Sequence, residues 1–428
     1  MKSKRVKSDT KVIIALSILL IMAALFSLSK PKNNVCTSFS DYYGDRDNNK
    51  NCYFNPDANL NVTQIIKRWG YPTEEHVVIT DDGYMLTLFR IPHGLNSTTT
   101  QPREPVLLQH GAVLNSASFV NRGNKSLAFI LVDAGYDVWL GNFRGTIYSK
   151  RHMYLDSKDK EFWDFDTYEL GYYDTSAKID LIYRRTGQKV IYIGHSLGTT
   201  TAYIHGVTSP VLAKKKVKII VSLAPTLYVK NWQSVTRYFF SAWKLAKPLI
   251  LALTNGEIYL RGKPESALRE SLCTTYPFQM HICQFLNMIV TGFNYEQSDP
   301  ETLPITIMQN ADAVSYRTLT HNMQLVEKGN LDYFDYGVEL NTLRYGSPYP
   351  PQYNLSLLQI PTYLIRAQND LLITKPDVEH IHRNLPKEAN AYDIFTIDHE
   401  SFNHEDFITA RDVVPLLYDH IVLFLKKL

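Results

Sequence analysis

Ser196, Asp370 and His404 are the residues whose types and order could do chemistry together. Ser196 lies in Gly194-His195-Ser196-Leu197-Gly198, a G-x-S-x-G. A serine hydroxyl is a weak nucleophile near neutral pH and needs a base to take its proton. A histidine can be that base, and a carboxylate can fix its tautomer and stabilise its charged form. Such a set performs acyl transfer, attacking a carbonyl carbon and passing through an acyl-enzyme. Serine first, acid second and histidine last is one of the chain orders in which such triads occur. His399 rivals His404 in the same stretch, and spacing alone leaves both open. Asp393 and Asp398 rival Asp370, which has the better position directly after an apolar strand.

Positioning these groups requires particular elements. Val190 to Ile193 reads as a buried strand, and Thr199 to His205 as the start of a helix of small residues. Between them the chain must turn sharply, which puts Ser196 in a strained conformation above the sheet edge. Gly194 and Gly198 have no Cβ to obstruct the turn. The helix N-terminus below favours developing negative charge. Pro105 to Gln109 is a second strand and runs into His110-Gly111-Ala112-Val113. The backbone N–H groups of Leu197 and Ala112 are the candidate oxyanion donors.

The rest of the chain supplies more strands. Glu75 to Thr80 and Tyr84 to Ile91 flank Asp81-Asp82-Gly83 as a hairpin. Tyr136 to Leu140, Lys218 to Ala224, Pro361 to Ala367 and Ala391 to Ile397 follow. Helical patterns cover Val62 to Trp69, Ser126 to Ala134, parts of Phe162 to Thr186, and Ala410 to Lys427. Strands alternating with helices indicate a mostly parallel α/β sheet covered on both faces. The alternation lapses from Tyr228 to Tyr345, a helical and aromatic stretch with no clear strand. It is expected to cap the catalytic end. Most aromatic residues between Trp232 and Leu253 are expected to form the cap's own core, with part of the stretch acting as a lid. The expected divisions are 1–30, 31–54, 55–227, 228–345 and 346–428. Gly141-Asn142-Phe143-Arg144-Gly145 lacks the G-x-G-x-x-G spacing, so no dinucleotide site is supported.

The 428 residues are 45% hydrophobic and 20% charged, with a net charge of +3, an ordinary globular balance that gives no sign of nucleic-acid binding. The N-terminus differs. Lys2, Lys4, Arg5, Lys7 and Lys11 precede 18 uncharged residues, Val12 to Ser29. That is a signal segment. Ser27-Leu28-Ser29 suits cleavage, whereas retention would make residues 12–29 a membrane anchor. In both cases the body faces an oxidising space, secreted, lumenal or membrane-held. Lys30 to Leu60 is polar and expected to be partly disordered. A Cys273–Cys283 disulfide is plausible, and Cys36 and Cys52 could form a second. Asn61, Asn96, Asn124 and Asn354 head N-x-S/T sequons.

The chain also resembles the acid lipase family, which includes the gastric and lysosomal acid lipases. The likeness runs from Asn55 to Phe407. It is carried by Asn55-Pro56, Gly70-Tyr71-Pro72-Thr73-Glu74-Glu75, Leu108-Gln109-His110-Gly111 and Asp133-Ala134-Gly135-Tyr136-Asp137-Val138-Trp139-Leu140-Gly141-Asn142. Gly194 to Thr200, Asp370-Leu371-Leu372 and Asn403-His404-Glu405-Asp406-Phe407 complete it. The last match favours His404 over His399. The resemblance implies an α/β-hydrolase fold with a helical cap, and hydrolysis of neutral lipid esters at a lipid–water interface by a monomer. Ser196 would be the nucleophile, His404 the base and Asp370 its partner, with Leu197 and Ala112 as oxyanion donors and no metal or cofactor. Cys273–Cys283 would be the family's cap disulfide. Leu197 stands where the gastric and lysosomal enzymes carry Gln, and only its N–H is needed. Ala112-Val113, Phe143, Arg366-Ala367-Gln368-Asn369 and Trp232 to Leu268 also depart from the pattern. These departures bear on acyl chain length, head group and pH optimum, not on the reaction class. The competing readings are an acyl hydrolase or acyltransferase on another lipid ester, such as phospholipid or retinyl ester, and a lipid-binding protein without turnover.

Overall fold

Six short apolar runs become the parallel part of one sheet because both of their faces can be buried. The strands on its main path are β1 (Glu74–Ile79), β2 (Tyr84–Ile91), β3 (Pro105–Gln109), β4 (Asp137–Gly141), β5 (Val190–His195), β6 (Val217–Leu223), β7 (Thr362–Arg366) and β8 (Phe395–Thr396), and a ninth, Arg151–His152, pairs with β2 off that path. Their order across the sheet is β8-β7-β6-β5-β3-β4-β2-β1. β3 to β8 run parallel, β2 is antiparallel to β4, and β1 closes the edge as a hairpin. Every residue of β3, β4 and β5 is buried. β1 alternates in exposure, as an edge strand with one wet face should. The computed structural model describes residues 33–97, 101–258, 273 and 279–428.

The strand order reverses around β3. From β3 the chain crosses to β4 on one side, then returns to β5 on the other. A crevice opens where connections leave a sheet in opposite directions, at the carboxyl ends of the strands. Ala112 follows β3 and Ser196 follows β5, so both lie at that crevice. The register pairs Gln109 with Gly194 and His195 with Leu223.

Several expectations need correction. Lys30 to Leu60 was expected to be partly disordered, yet it is ordered from residue 33. Val35–Cys36 pairs with Cys52–Tyr53, and a Cys36–Cys52 disulfide closes the loop. Asn33 and Asn34 donate to backbone carbonyls of Arg46 and Asn55, and the Tyr42 hydroxyl donates to the Pro300 carbonyl. A cross-link and side-chain amides thus add to two small apolar clusters, Tyr42 with Leu303 and Ile307, and Val35 with Ala58 and Ile305. The cap was expected to have no strand, but Glu257–Ile258 pairs with Val314–Ser315. The last strand shrinks to Phe395–Thr396, and the terminal helix divides into Val414–Tyr418 and Asp419–Leu425.

The aromatic stretch after Trp232 departs furthest. Phe240 is buried and Trp243 stacks on Tyr316 at 5.0 Å. The rest of helix Phe240–Thr254 does not form a cap core. Tyr238, Leu245 and Leu253 are each at least 75% exposed, and Phe239 and Leu249 are 62% exposed. Cys273 and Cys283 are joined as a disulfide. Asn61, Asn96, Asn124 and Asn354 are all exposed. The basic N-terminus and the run from Val12 to Ser29 lie outside the described residues. No described helix is long and apolar enough to cross a membrane.

Candidate active site

Ser196 occupies a turn that glycine makes possible. Its φ is +52° and its ψ −121°, a conformation that costs a non-glycine residue about 1–3 kcal/mol. The packing around it holds that strain. A Cβ on Gly194 would lie 2.7 Å from the Gly198 carbonyl, and one on Gly198 would lie 2.5 Å from the Gln109 carbonyl. Ser196 N–H donates to Leu223 O at 2.9 Å, and the N–H and hydroxyl of Thr199 both donate to Ser196 O at 2.7 Å. The side chain is left partly exposed at the N-terminus of helix Leu197–Thr208.

The candidate base and acid meet from two other loops. His404 Nδ1–H donates to Asp370 Oδ2 at 2.8 Å. Asp370 Oδ1 accepts from the N–H groups of Leu372 and Ile373, each at 2.8 Å. Both side chains are at least 95% buried. Burial alone would lower the pKa of His404, but the charge and hydrogen bond of Asp370 outweigh it, and Glu405 adds to them. The net shift is upward. Nε2 is the nitrogen left free to face a proton donor. Ser196 and His404 line the same cavity. No hydrogen bond joins them among the described residues; such bonds often tighten only around a substrate.

The rivals stand elsewhere. The His399 ring faces Gln297 and Glu296. Asp393 and Asp398 are exposed, and neither bonds to His404. His195, which the sequence offered only as a motif residue, has a clear place. Its Nε2–H donates to the His404 carbonyl at 3.0 Å. Burial, together with the nearby His404 and His110, pushes the His195 pKa down to about 3, so the ring is neutral. It positions His404 through the backbone.

The loop after β3 lies beside Ser196. Leu197 and Ala112 line the cavity, and neither N–H is taken by another group among the described residues. His110 Nδ1–H donates to Gly111 O at 2.8 Å and its Nε2 accepts from Phe143 N–H at 3.2 Å. Val113 has φ +54°, rare for a β-branched residue. Its carbonyl accepts from Asp312 N–H at 2.8 Å. The Asp312 carboxylate accepts from Asn115 Nδ2 at 2.9 Å and from Ile147 N–H at 3.0 Å. Asp312 lies in the stretch between β6 and β7, so that stretch holds this loop in place.

The same stretch holds the other two loops as well. Thr291 O accepts from Leu371 N–H at 3.2 Å and from His404 N–H at 3.4 Å. Asn403 Nδ2 donates to Gly292 O and Asn369 Nδ2 to Phe293 O, both at 2.8 Å. None of these roles shows in the sequence, because each joins residues tens to hundreds of positions apart. Gly292 is the tightest point. Its φ is +125°, and a Cβ there would stand 2.1 Å from Asn369 O and 2.8 Å from Asn403 Cβ. Gly292→Ala should therefore push the Asp370 and His404 loops apart. Turnover should fall about 10²-fold, since displacements of an ångström cost that much. A rate assay beside a thermal melt checks it, and unchanged turnover would contradict the tight fit.

The cavity has a volume of about 620 Å³, and its lining is mostly apolar. Such a set of groups can activate a hydroxyl, hold an oxyanion and shelter a long apolar ligand. Among the described residues no His, Cys, Asp and Glu cluster could hold a metal.

The comparisons with known proteins bear on the family of the whole chain. A family model described as a partial alpha/beta-hydrolase lipase region matches residues 62–123, and one described as alpha/beta hydrolase fold matches residues 104–249. The chain is 37% identical to gastric triacylglycerol lipase of Bos taurus over 379 residues, covering 87% of this chain and 93% of that protein. It is 35% identical to lipase member K of Homo sapiens over 378 residues, covering 87% and 92%. It is 35% identical to lysosomal acid lipase/cholesteryl ester hydrolase of Macaca fascicularis over 403 residues, covering 92% and 97%. With such identity over nearly its whole length, the chain belongs to the acid lipase family of α/β-hydrolases and is a carboxylic ester hydrolase.

Proposed function

We propose that this enzyme hydrolyses neutral lipid esters, triacylglycerol and cholesteryl ester among them, through Ser196, His404 and Asp370. The observation that carries the reading is the buried His404–Asp370 pair in the same mostly apolar cavity as the strained Ser196. In the first step His404 Nε2 takes the Ser196 proton as Oγ attacks the ester carbonyl. The oxyanion is held by the N–H groups of Leu197 and Ala112. The tetrahedral intermediate collapses, and His404 protonates the leaving alcohol. An acyl-Ser196 remains. Water, activated by His404, attacks it by the same route and releases the fatty acid. Asp370 keeps the His404 proton on Nδ1 and stabilises the imidazolium.

Substrate reaches the site from a lipid surface. Helix Phe240–Thr254 starts at cavity-lining Phe240 and exposes Leu245, Leu249 and Leu253. Leu286 also lines the cavity and is 53% exposed, and Phe285 and Phe293 are exposed nearby in sequence. These side chains would enter the lipid, each contributing about 1.5–3 kcal/mol if fully buried. Leu245→Glu with Leu249→Glu should lower turnover of emulsified triolein at least about tenfold. A dissolved short-chain ester should be affected much less. Equal losses on both substrates would remove the surface role. The enzyme acts in an oxidising compartment of the secretory pathway, or beyond it, as a monomer. It has a core from 55–227 and 346–428, and a cap from 228–345. The function is tested by fatty-acid release from emulsified triolein and cholesteryl oleate between pH 4 and 8. Activity on neither ester, in a folded enzyme that reacts with serine-directed phosphonates, would move the substrate to another lipid ester.

A further inference from the structure

His110 sits at the start of the loop that borders Ser196, and it is buried. Both of its ring nitrogens are engaged, and the partners allow one placement of the protons. Gly111 O, 2.8 Å from Nδ1, can only accept, and Phe143 N–H, 3.2 Å from Nε2, can only donate. Nδ1 therefore carries the proton and Nε2 is bare. Burial, with Lys178 nearby, pushes the His110 pKa down to about 3, so the ring stays neutral. The Phe143 ring meets the His110 ring edge-on, with centroids 4.9 Å apart, and Lys178 Nζ stands 4.4 Å from the Phe143 ring centre. The imidazole is held in one tautomer and one orientation.

The carbonyl that His110 holds belongs to the peptide between Gly111 and Ala112. A peptide is planar and trans, so its N–H points away from its C=O. Fixing Gly111 O thus fixes the direction of Ala112 N–H, the second candidate oxyanion donor. That peptide is packed against the nucleophile: a Cβ on Gly111 would stand 3.1 Å from Ser196 Cβ and 3.2 Å from His195 Nδ1. A hydrogen bond accepted at the carbonyl end also polarises the amide, which makes its N–H a stronger donor.

We propose that His110 is a positioning residue for the oxyanion hole, aiming and strengthening the Ala112 N–H through the Gly111–Ala112 peptide. The inference rests on the ester-cleaving reading above. It deepens that reading with a side chain that serves the oxyanion rather than the proton transfer.

Two variants separate the two nitrogens. Asparagine carries an N–H where Nδ1–H stands, and glutamine carries an oxygen where Nε2 stands. His110→Asn therefore keeps the donor to Gly111 O, and His110→Gln keeps the acceptor for Phe143 N–H. The substrate is p-nitrophenyl butyrate in solution, so no lipid surface enters KM. Acylation and deacylation both pass through an oxyanion, so the loss falls on kcat. Removing an oxyanion donor outright costs about 10²–10³ in kcat. His110→Gln, which only misaims one, should lose about tenfold to a hundredfold in kcat at unchanged KM. His110→Asn should recover most of that loss even where it melts at a lower temperature. Equal losses in the two variants, a loss confined to KM, or rates that simply follow the melting temperatures overturn the proposal.

The wild type gives a check that needs no variant. In full-chain enzyme with isotope-labelled histidine, the His110 Nδ1–H resonance should move downfield when an alkyl phosphonate on Ser196 places its oxygen on Ala112 N–H. Donation by that N–H makes Gly111 O a stronger acceptor. An unmoved resonance in fully phosphonylated enzyme overturns the proposal even if neither variant folds. If Ser196 does not react with the phosphonate at all, the ester-cleaving reading fails and takes this inference with it.

Discussion

Ser196→Ala is expected to lower kcat on any ester about 10⁶-fold, with little change in KM. The size follows from the proposed division of labour in the site. Without Oγ there is no acyl-enzyme, and His404 has no nucleophile to activate. What remains is the oxyanion hole and the cavity, which in comparable sites still give about 10³–10⁴-fold over water. Alanine removes one oxygen from a partly exposed side chain and leaves the φ of +52° in place. The fold should therefore survive, and melting curves of the two proteins should nearly coincide. Residual activity within tenfold of wild type would mean that another group attacks the carbonyl.

Asp370→Asn should lower kcat about 10⁴-fold. Asparagine keeps an oxygen for the N–H groups of Leu372 and Ile373, so the loop is preserved. Its amide nitrogen then faces His404 Nδ1. Two donors cannot pair, so the His404 proton moves to Nε2, the nitrogen that must accept from Ser196. The pH profile should shift as well. His404 works as a base only when neutral, so activity is present above its pKa and is lost as pH falls through it. Asp370 raises that pKa. Removing its charge lowers it, so the acid limb of kcat/KM should move to lower pH in the variant. A reduced rate with an unmoved or raised acid limb would contradict the assigned pair.

What the sequence revealed and what it hid differ in range. The turn at Ser196 was legible because strand, glycines and helix lie within about twenty residues, where local sterics decide. The alternating core was legible for the same reason, since buried strands read as apolar runs. Asp370 and His404 were narrowed by position after strands, but only the fold brings them within 2.8 Å. The grip of the stretch between β6 and β7 on three loops was invisible. Thr291 and Gly292 act through backbone groups and close approach, and Asp312 through its N–H and its carboxylate on residues far away in the chain; none of these leaves a motif. Helix Phe240–Thr254 misled because its aromatic and aliphatic residues look the same whether they fill a core or face outward. The N-terminal loop misled because its order comes from Cys36–Cys52, asparagine side chains and two small apolar clusters, not from hydrophobic patterning.

The most direct measurement of the central claim is covalent trapping. The purified enzyme is treated with a serine-directed alkyl phosphonate, digested, and mapped by mass spectrometry. One adduct is expected, on the peptide containing Ser196. It should form slowly in Asp370→Asn and be absent in Ser196→Ala. An unlabelled, well-folded wild type, or an adduct on another residue, would contradict the account.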